Sequence, residues 1–309
     1  MQLNCILKMK KTIYICMVIL FFSPVLAART VEFPLLQSLA YVPYSESKPL
    51  EKGKLSFTLD SSYSNVYRFN GDRSILNDFE VFSNIIGFRY GMTENDTIEV
   101  YYRHYSILGG ALDKLIEDFH DTFNLPDNQR GEYPRNSVNY RYKNYFTYNR
   151  GVSGSSHIVL AYFKSIDVSP YIRFGGRLGV GIPLSDKAGL SSGKPFLSAG
   201  LNASYEKGKF SIEASQYWSF FKKPSWLQGE DIRSSFSVSR IELNVFRGIA
   251  GFNFSTSPFK LDKVSHRAYQ VYVGYRILKN LDFIILEDFL PFDTTPDLSF
   301  NMRVKFLIH

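Results

Sequence analysis

From Leu55 onward the chain alternates apolar and polar residues with a period of two, as strands with two chemically different faces do. Leu55, Phe57 and Leu59 fall on one side, and Ser56, Thr58 and Asp60 on the other. The same alternation sets Ile98, Val100 and Tyr102 against Thr97, Glu99 and Arg103. It runs longest where Ile172, Phe174, Gly176, Leu178, Val180 and Ile182 oppose Arg173, Gly175, Arg177, Gly179 and Gly181. Tyr269, Val271, Val273 and Tyr275 oppose Gln270, Gly274 and Arg276. The final segment sets Phe300, Met302, Val304, Phe306 and Ile308 against Asn301, Arg303, Lys305 and His309.

Such alternation builds either a soluble sandwich or a membrane barrel with lipid outside and water inside. Three features favour the barrel. The polar faces are rich in Arg and Gly, which suits a wet lumen. Tyr and Phe recur near strand ends, as interfacial girdles require. Short connections near Gly91–Asp96, Ser165–Ser169, Glu206–Lys209, Phe246–Gly248 and Leu278–Asn280 interleave with long ones near Arg68–Asp78, Pro183–Pro195, Phe221–Ser234, Ser257–His266 and Phe289–Pro296. The interleaving is strict if 107–155 forms one long loop with a hairpin-like arm around Tyr140–Tyr148. Strands then begin near Leu55, Phe79, Thr97, Ser156, Pro170, Phe196, Phe210, Ser235, Ile249, Arg267, Leu281 and Asp297, with both termini on the short-turn side. The expected fold is all-β, an antiparallel transmembrane β-barrel of about twelve strands, with one amphipathic helix in a long extracellular loop. The weakest boundary is 235–256, where Phe236 and Val238 take one parity and Ile241, Leu243 and Val245 the other. A bulge near Ser239–Arg240 or an extension above the membrane accounts for the flip, or the count is off by a pair.

That helix lies in the stretch Gly109–Arg130. Leu112, Leu115, Ile116, Phe119 and Phe123 form one helical stripe, predicting a helix over 110–124, with Asp113, Glu117, His120 and Asp121 on its other face. Gly109-Gly110 before it and Leu125-Pro126 after it punctuate its ends.

Composition sharpens compartment more than fold. Lys8, Lys10 and Lys11 precede an apolar run, Thr12–Phe22, and then SPVLAA, which together read as a secretory signal peptide cleaved after Ala27 or Ala28. Residues 1–28 are therefore the expected leader, 29–53 an extended N-terminal periplasmic or plug segment, and 54–309 the barrel. The expected location is the outer membrane of a Gram-negative bacterium after Sec-type export. Both cysteines, Cys5 and Cys16, lie in the leader, so the mature chain has no disulfide or thiolate metal site. The formal charge of +7 falls to +4 without the leader lysines, and no clustered basic run suggests nucleic acid. With a mean hydropathy of −0.14 and no later window of ~18–20 apolar residues, no helical anchor is expected.

The residues Gly109-Gly110-x-Leu112-Asp113, Ile116-Glu117-x-Phe119-His120, Phe123-x-Leu125-Pro126 and Arg130, with Glu287-Asp288, Pro296-Asp297 and Phe300 near the end, resemble a family of uncharacterised Gram-negative barrel-like proteins classed as a domain of unknown function. The likeness covers most of the mature chain. It implies an outer-membrane barrel and no established activity. The chain end resembles the targeting strand read by the outer-membrane assembly machinery, but closes with Ile308-His309 where a terminal aromatic is usual.

Glu117 and His120, at i and i+3, have a spacing that can present two metal ligands or an acid–base pair. The competing reading is structural: a polar helix face pairing with Arg130, Arg135 or lumen arginines. The candidate binding or lid residues are thus Asp113, Glu117, His120, Arg130 and Arg135, with no metal, cofactor or catalytic residue assigned. Arg103, Arg173, Arg177, Arg276, Arg303 and Lys305 share the expected inward parity with Asp60, Glu99 and Glu213, either as an ion-paired filling or as a wall that attracts anions. Gly189-Leu190-Ser191-Ser192-Gly193 carries the letters Gly-x-Ser-x-Gly but reads as part of an ordinary polar outer loop, no Ser/His pairing is specified by spacing, and no phosphate-binding loop is present. Three functions remain in view. One is a monomeric barrel passing or binding a small solute under a helical lid. The second is an enzyme acting on lipid or lipopolysaccharide through His120. The third is a passive structural or surface-interaction barrel. The expected partners are outer-membrane lipid and lipopolysaccharide, an unidentified small solute and the assembly machinery, with no nucleic acid.

Overall fold

The strands follow the alternation closely. A computed structural model describes residues 34–41, 46–69, 72–123, 133–259, 267–288 and 298–308. The leader, Arg130, His309 and the outer connections 260–266 and 289–297 lie outside the described residues. In chain order the strands are β1 (Leu55–Phe69), β2 (Ile75–Gly91), β3 (Asp96–Leu108), β4 (Asn139–Tyr142), β5 (Phe146–Tyr148), β6 (Val152–Asp167) and β7 (Ile172–Pro183). They continue as β8 (Phe196–Lys207), β9 (Phe210–Phe221), β10 (Ser235–Val245), β11 (Gly248–Thr256), β12 (Arg267–Leu278), β13 (Leu281–Asp288) and β14 (Leu298–Ile308). Two α-helices, α1 (Pro34–Leu39) and α2 (Leu112–Phe123), and a 3-10 turn over Ser225–Leu227 complete the regular structure among the described residues.

Each long strand pairs antiparallel with its neighbours in sequence, and β1 pairs with both β14 and β2, closing a barrel of twelve strands. Closure gives every spanning strand a partner on both sides, the condition a sheet must meet in hydrocarbon. The tyrosine-rich hairpin β4–β5 is not a spanning pair. Ile75–Asp78 of β2 rise beyond the end of β3, and β4 takes over as their partner there. The hairpin thus heightens the wall at the long-loop end.

Outward positions are apolar, with Leu160, Tyr162, Leu178, Ile182, Leu197 and Leu201 all exposed. Inward positions are polar or aromatic. No bulge occurs near Ser239–Arg240: β10 pairs with β9 and β11 in unbroken register. The parity flip has another cause. Phe236 and Val238 face inward at the long-loop end, where the lumen is filled by apolar side chains instead of water. A real irregularity sits between β3 and β6, where Ser156 and His157 together oppose Arg103. Both bulged residues are buried.

The N-terminal segment is not wholly extended. Pro34 opens α1, where its fixed φ suits a first helical turn and its missing N–H costs nothing. All six residues of α1 are buried. Leu35, Leu36, Leu39 and Tyr41 pack with Val66, Val81, Ile85, Tyr101, Tyr105 and Val159, which point inward from β1, β2, β3 and β6. The helix therefore lies inside the barrel against one side of its wall.

Candidate functional site

The lumen has two unlike ends. At the long-loop end, aromatic side chains from the wall and from the hairpin, 184–195 and 222–234 pack into one buried cluster. Tyr140 packs on Phe79 and Phe146 at centroid distances of 4.8 and 4.7 Å, and Phe146 meets Trp226 edge-on at 5.7 Å. Tyrosine and tryptophan suit this position because their polar tips can tie down loop carbonyls. The Tyr140 hydroxyl donates to Gly189 O at 2.8 Å, Tyr148 to Ala188 O at 2.9 Å and Tyr105 to Leu190 O. Trp226 Nε1 donates to Ser191 O at 3.0 Å, binding the 222–234 connection to the 184–195 connection. Lys143 in the hairpin pairs with Glu230 at 2.8 Å. Burial pushes the Tyr140 and Tyr142 phenols above their ordinary range, so the hairpin tyrosines act as neutral donors. Gly189 is required here: its φ is +73°, and a Cβ would stand 2.6 Å from the Phe146 ring.

Helix α2 is mounted beside this cap on the outer ends of β1 and β2. Glu80, buried in β2, accepts the Leu112 N–H at 2.5 Å, placing a carboxylate where a helix N-terminus favours one. Asp113 accepts from Asn65 Nδ2 at 3.1 Å and from the Asn136 N–H at 2.8 Å. Glu117 pairs with Arg135 at 2.5 Å. Ile116 is buried while Leu115 is half exposed, so part of the apolar stripe is covered. His120 lies in the helix, but its side chain is outside the described residues.

At the short-turn end the segment 46–50 enters the lumen and is held by polar contacts. Glu46 bridges Arg89 at 3.1 Å and Lys305 at 2.6 Å. Ser47 donates to Glu213 at 2.8 Å, Arg89 donates to Lys48 O at 3.0 Å, and the Leu50 N–H donates to Thr97 at 3.0 Å. Burial pushes the Glu46 carboxyl up, but Lys305 and Arg89 outweigh it and hold the group well below the ordinary carboxylate range. Beside this clasp a polar cavity of about 300 Å³ is lined by Glu46, Ser47, Lys48, Glu213, Glu242, Arg276, Arg303 and Lys305 among others.

The inward charges form pairs. Glu99, fully buried, holds Arg89 at 3.0 Å and Arg177 at 2.8 Å, and Arg103 donates to Ser83 at 2.9 Å. Arg303 pairs with Asp60, Arg276 with Asp282 at 2.9 Å, and Arg173 with Asp167 at 2.5 Å. Arg240 and Glu213 stand 3.2 Å apart. Sequence parity did not single out Arg89, Glu46 or Glu80. Arg89 shares the inward side of β2 with Ile85 and Gly87, a clue that a strand-by-strand parity assignment would have exposed. Among the described residues no three His, Cys, Asp or Glu side chains are grouped to hold a metal ion.

The profile of a family described as "Protein of unknown function (DUF3187)" matches residues 28–232. No curated relative matches the sequence. The crystal structure of the COG4313 outer membrane channel from Pseudomonas putida F1 superposes with a TM-score of 0.52 at 12% identity, covering 86% of this chain and 100% of that one. The Ralstonia pickettii toluene transporter TbuX gives a TM-score of 0.41 at 11% identity, with 91% and 98% coverage. The first of these likenesses supports the barrel fold.

Proposed function

This chain belongs to the DUF3187 family of proteins of unknown function, and we propose that it is an outer-membrane barrel that passes or binds a small solute. The carrying observation is the asymmetry of the lumen. A polar cavity of about 300 Å³ lies at the short-turn end, and a buried cluster of aromatic and aliphatic side chains from wall and loops lies at the opposite end. A passive structural barrel has no need for a wet vestibule leading to a packed cap. The solved channel whose fold this chain shares adds support. In this reading the leader directs export, lipid and lipopolysaccharide surround the apolar belt, and α2 with 109–130 is the lid or constriction. Asp113, Glu117 and Arg135 fasten the lid, with His120 and Arg130 in the same loop.

Single-channel conductance of the mature chain, compared with a variant lacking residues 109–135, tests the lid. Larger or more frequent openings are expected on deletion. Unchanged conductance and unchanged solute uptake would overturn it.

A further inference from the structure

One inward row of side chains crosses the wall without meeting an apolar residue. Cross-strand partners run from Ser165 on β6 to Gly175 on β7, Asn202 on β8, Ser215 on β9, Arg240 on β10, Asn253 on β11 and Gln270 on β12. Because barrel strands tilt, a row perpendicular to them climbs as it goes round. Ser165 lies beside the 168–171 short turn, whereas Gln270 lies near the long-loop end of β12. The row is therefore a ramp from one mouth towards the other. Its middle passes beside Glu213 and Glu242 of the vestibule, which lie two residues nearer the short-turn ends of β9 and β10.

Every side chain on the ramp is buried, yet the Ser165 and Ser215 hydroxyls, Asn202 Oδ1 and Gln270 Nε2 have no hydrogen-bond partner among the described residues. Buried polar atoms are ordinarily paired, because leaving them unpaired forfeits their hydration. Four such atoms on one climbing row point to polar groups that come and go along it. Resting on the channel reading above, we propose that this ramp is the solute track and that its solute is small, uncharged and rich in hydroxyls. The orphaned groups include both a donor amide and an acceptor oxygen, and a hydroxyl can answer either. The ramp's one charged side chain, Arg240, is already held by Glu213 at 3.2 Å. An anion approaching from the vestibule meets Glu213 facing Glu242, and a cation meets Arg240, so either net charge passes its own kind.

The test is osmotic swelling of proteoliposomes carrying the full mature chain, alongside the variant lacking 109–135. Three solutes of equal size are compared: a four-carbon polyol, a dicarboxylate and a diamine. The polyol should enter fastest. Asn202→Leu combined with Gln270→Leu should slow polyol entry at least about fivefold, since two hydrogen-bonding groups are lost from the track. The conservative pair Asn202→Gln with Gln270→Asn should recover most of the rate. Ser215→Ala, which removes one hydroxyl, should slow it by a smaller factor and guards against a misfolded leucine variant. Faster entry of the dicarboxylate or diamine, or leucine variants that pass polyol at the original rate while migrating as folded barrels, would overturn the track and leave the channel reading standing. Entry of no solute by either protein would overturn both.

Discussion

Glu99 offers the most exacting test of how the lumen is held. Its carboxylate is fully buried, with Arg89 Nε at 3.0 Å and Arg177 Nε at 2.8 Å. Arg177 is otherwise stacked over Tyr101, 5.6 Å from the ring centroid, and its terminal nitrogens have no hydrogen-bond partner among the described residues. Glu99→Gln preserves shape and removes the charge, leaving the buried Arg177 guanidinium without its carboxylate and Arg89 with Glu46 at 3.1 Å. Each hydrogen bond to a charged group contributes about 1.5–3 kcal/mol. Orphaning one partner of a buried pair costs about 3–5 kcal/mol. The two routes agree on a loss of about 3–5 kcal/mol for Glu99→Gln. Urea unfolding in thin lipid vesicles, followed by Trp218 and Trp226 fluorescence, measures it. Arg177→Met should be partly redundant with Glu99→Gln, with a coupling of about 1–3 kcal/mol in the double-mutant cycle. A Glu99→Gln loss below about 1 kcal/mol, the range of exposed pairs, would mean that water screens this pair and would refute the reasoning.

Other consequences can be read off the same contacts. Tyr140→Phe removes the donor to Gly189 O and should cost about 1 kcal/mol locally, seen as faster amide exchange through 186–192. Gly189→Ala meets both a left-handed backbone and the Phe146 ring, and should cost more than Gly208→Ala, where φ is +63° but nothing lies within 4 Å; unfolding midpoints compare the two. Asp113→Ala should free the first turn of α2 from Asn65 and the 136 backbone, raising protease cleavage between 109 and 136. Because the Glu46 carboxyl is lowered in the folded chain, its stabilising effect is complete above the ordinary carboxylate range and is lost only as pH falls through the lowered value. The stability difference between the unaltered chain and Glu46→Gln, read from urea midpoints, should therefore stay flat from pH 8 to pH 5.

Much of the wall was legible because a strand's two faces meet different solvents. Lipid outside and polar contents inside impress a period of two on every crossing, so Arg103, Arg177 and Arg303 could be placed on the inner side from parity alone. Helix α2 was legible for the same kind of reason, its stripe and flanking glycines being local signals. Phe236 and Val238 misled because their inner surroundings are an apolar cap, and parity reports the neighbouring medium, not the geometry of the ladder. The helix α1 was missed: six residues are too few to show a period, and their burial comes from strands far away in the chain.

By itself, then, the sequence determined the alternation, the spacing of short and long connections and hence a closed antiparallel wall of twelve strands, because those features depend on nearest neighbours and on the solvent each face meets. Only the tertiary structure decided what fills that wall. Glu46 reaches Lys305 across 259 positions, Tyr140 reaches Gly189 across 49, and the ramp from Ser165 to Gln270 exists only once strand register and tilt are set. Such contacts follow from barrel closure, and no local pattern encodes which inward side chains closure will bring face to face.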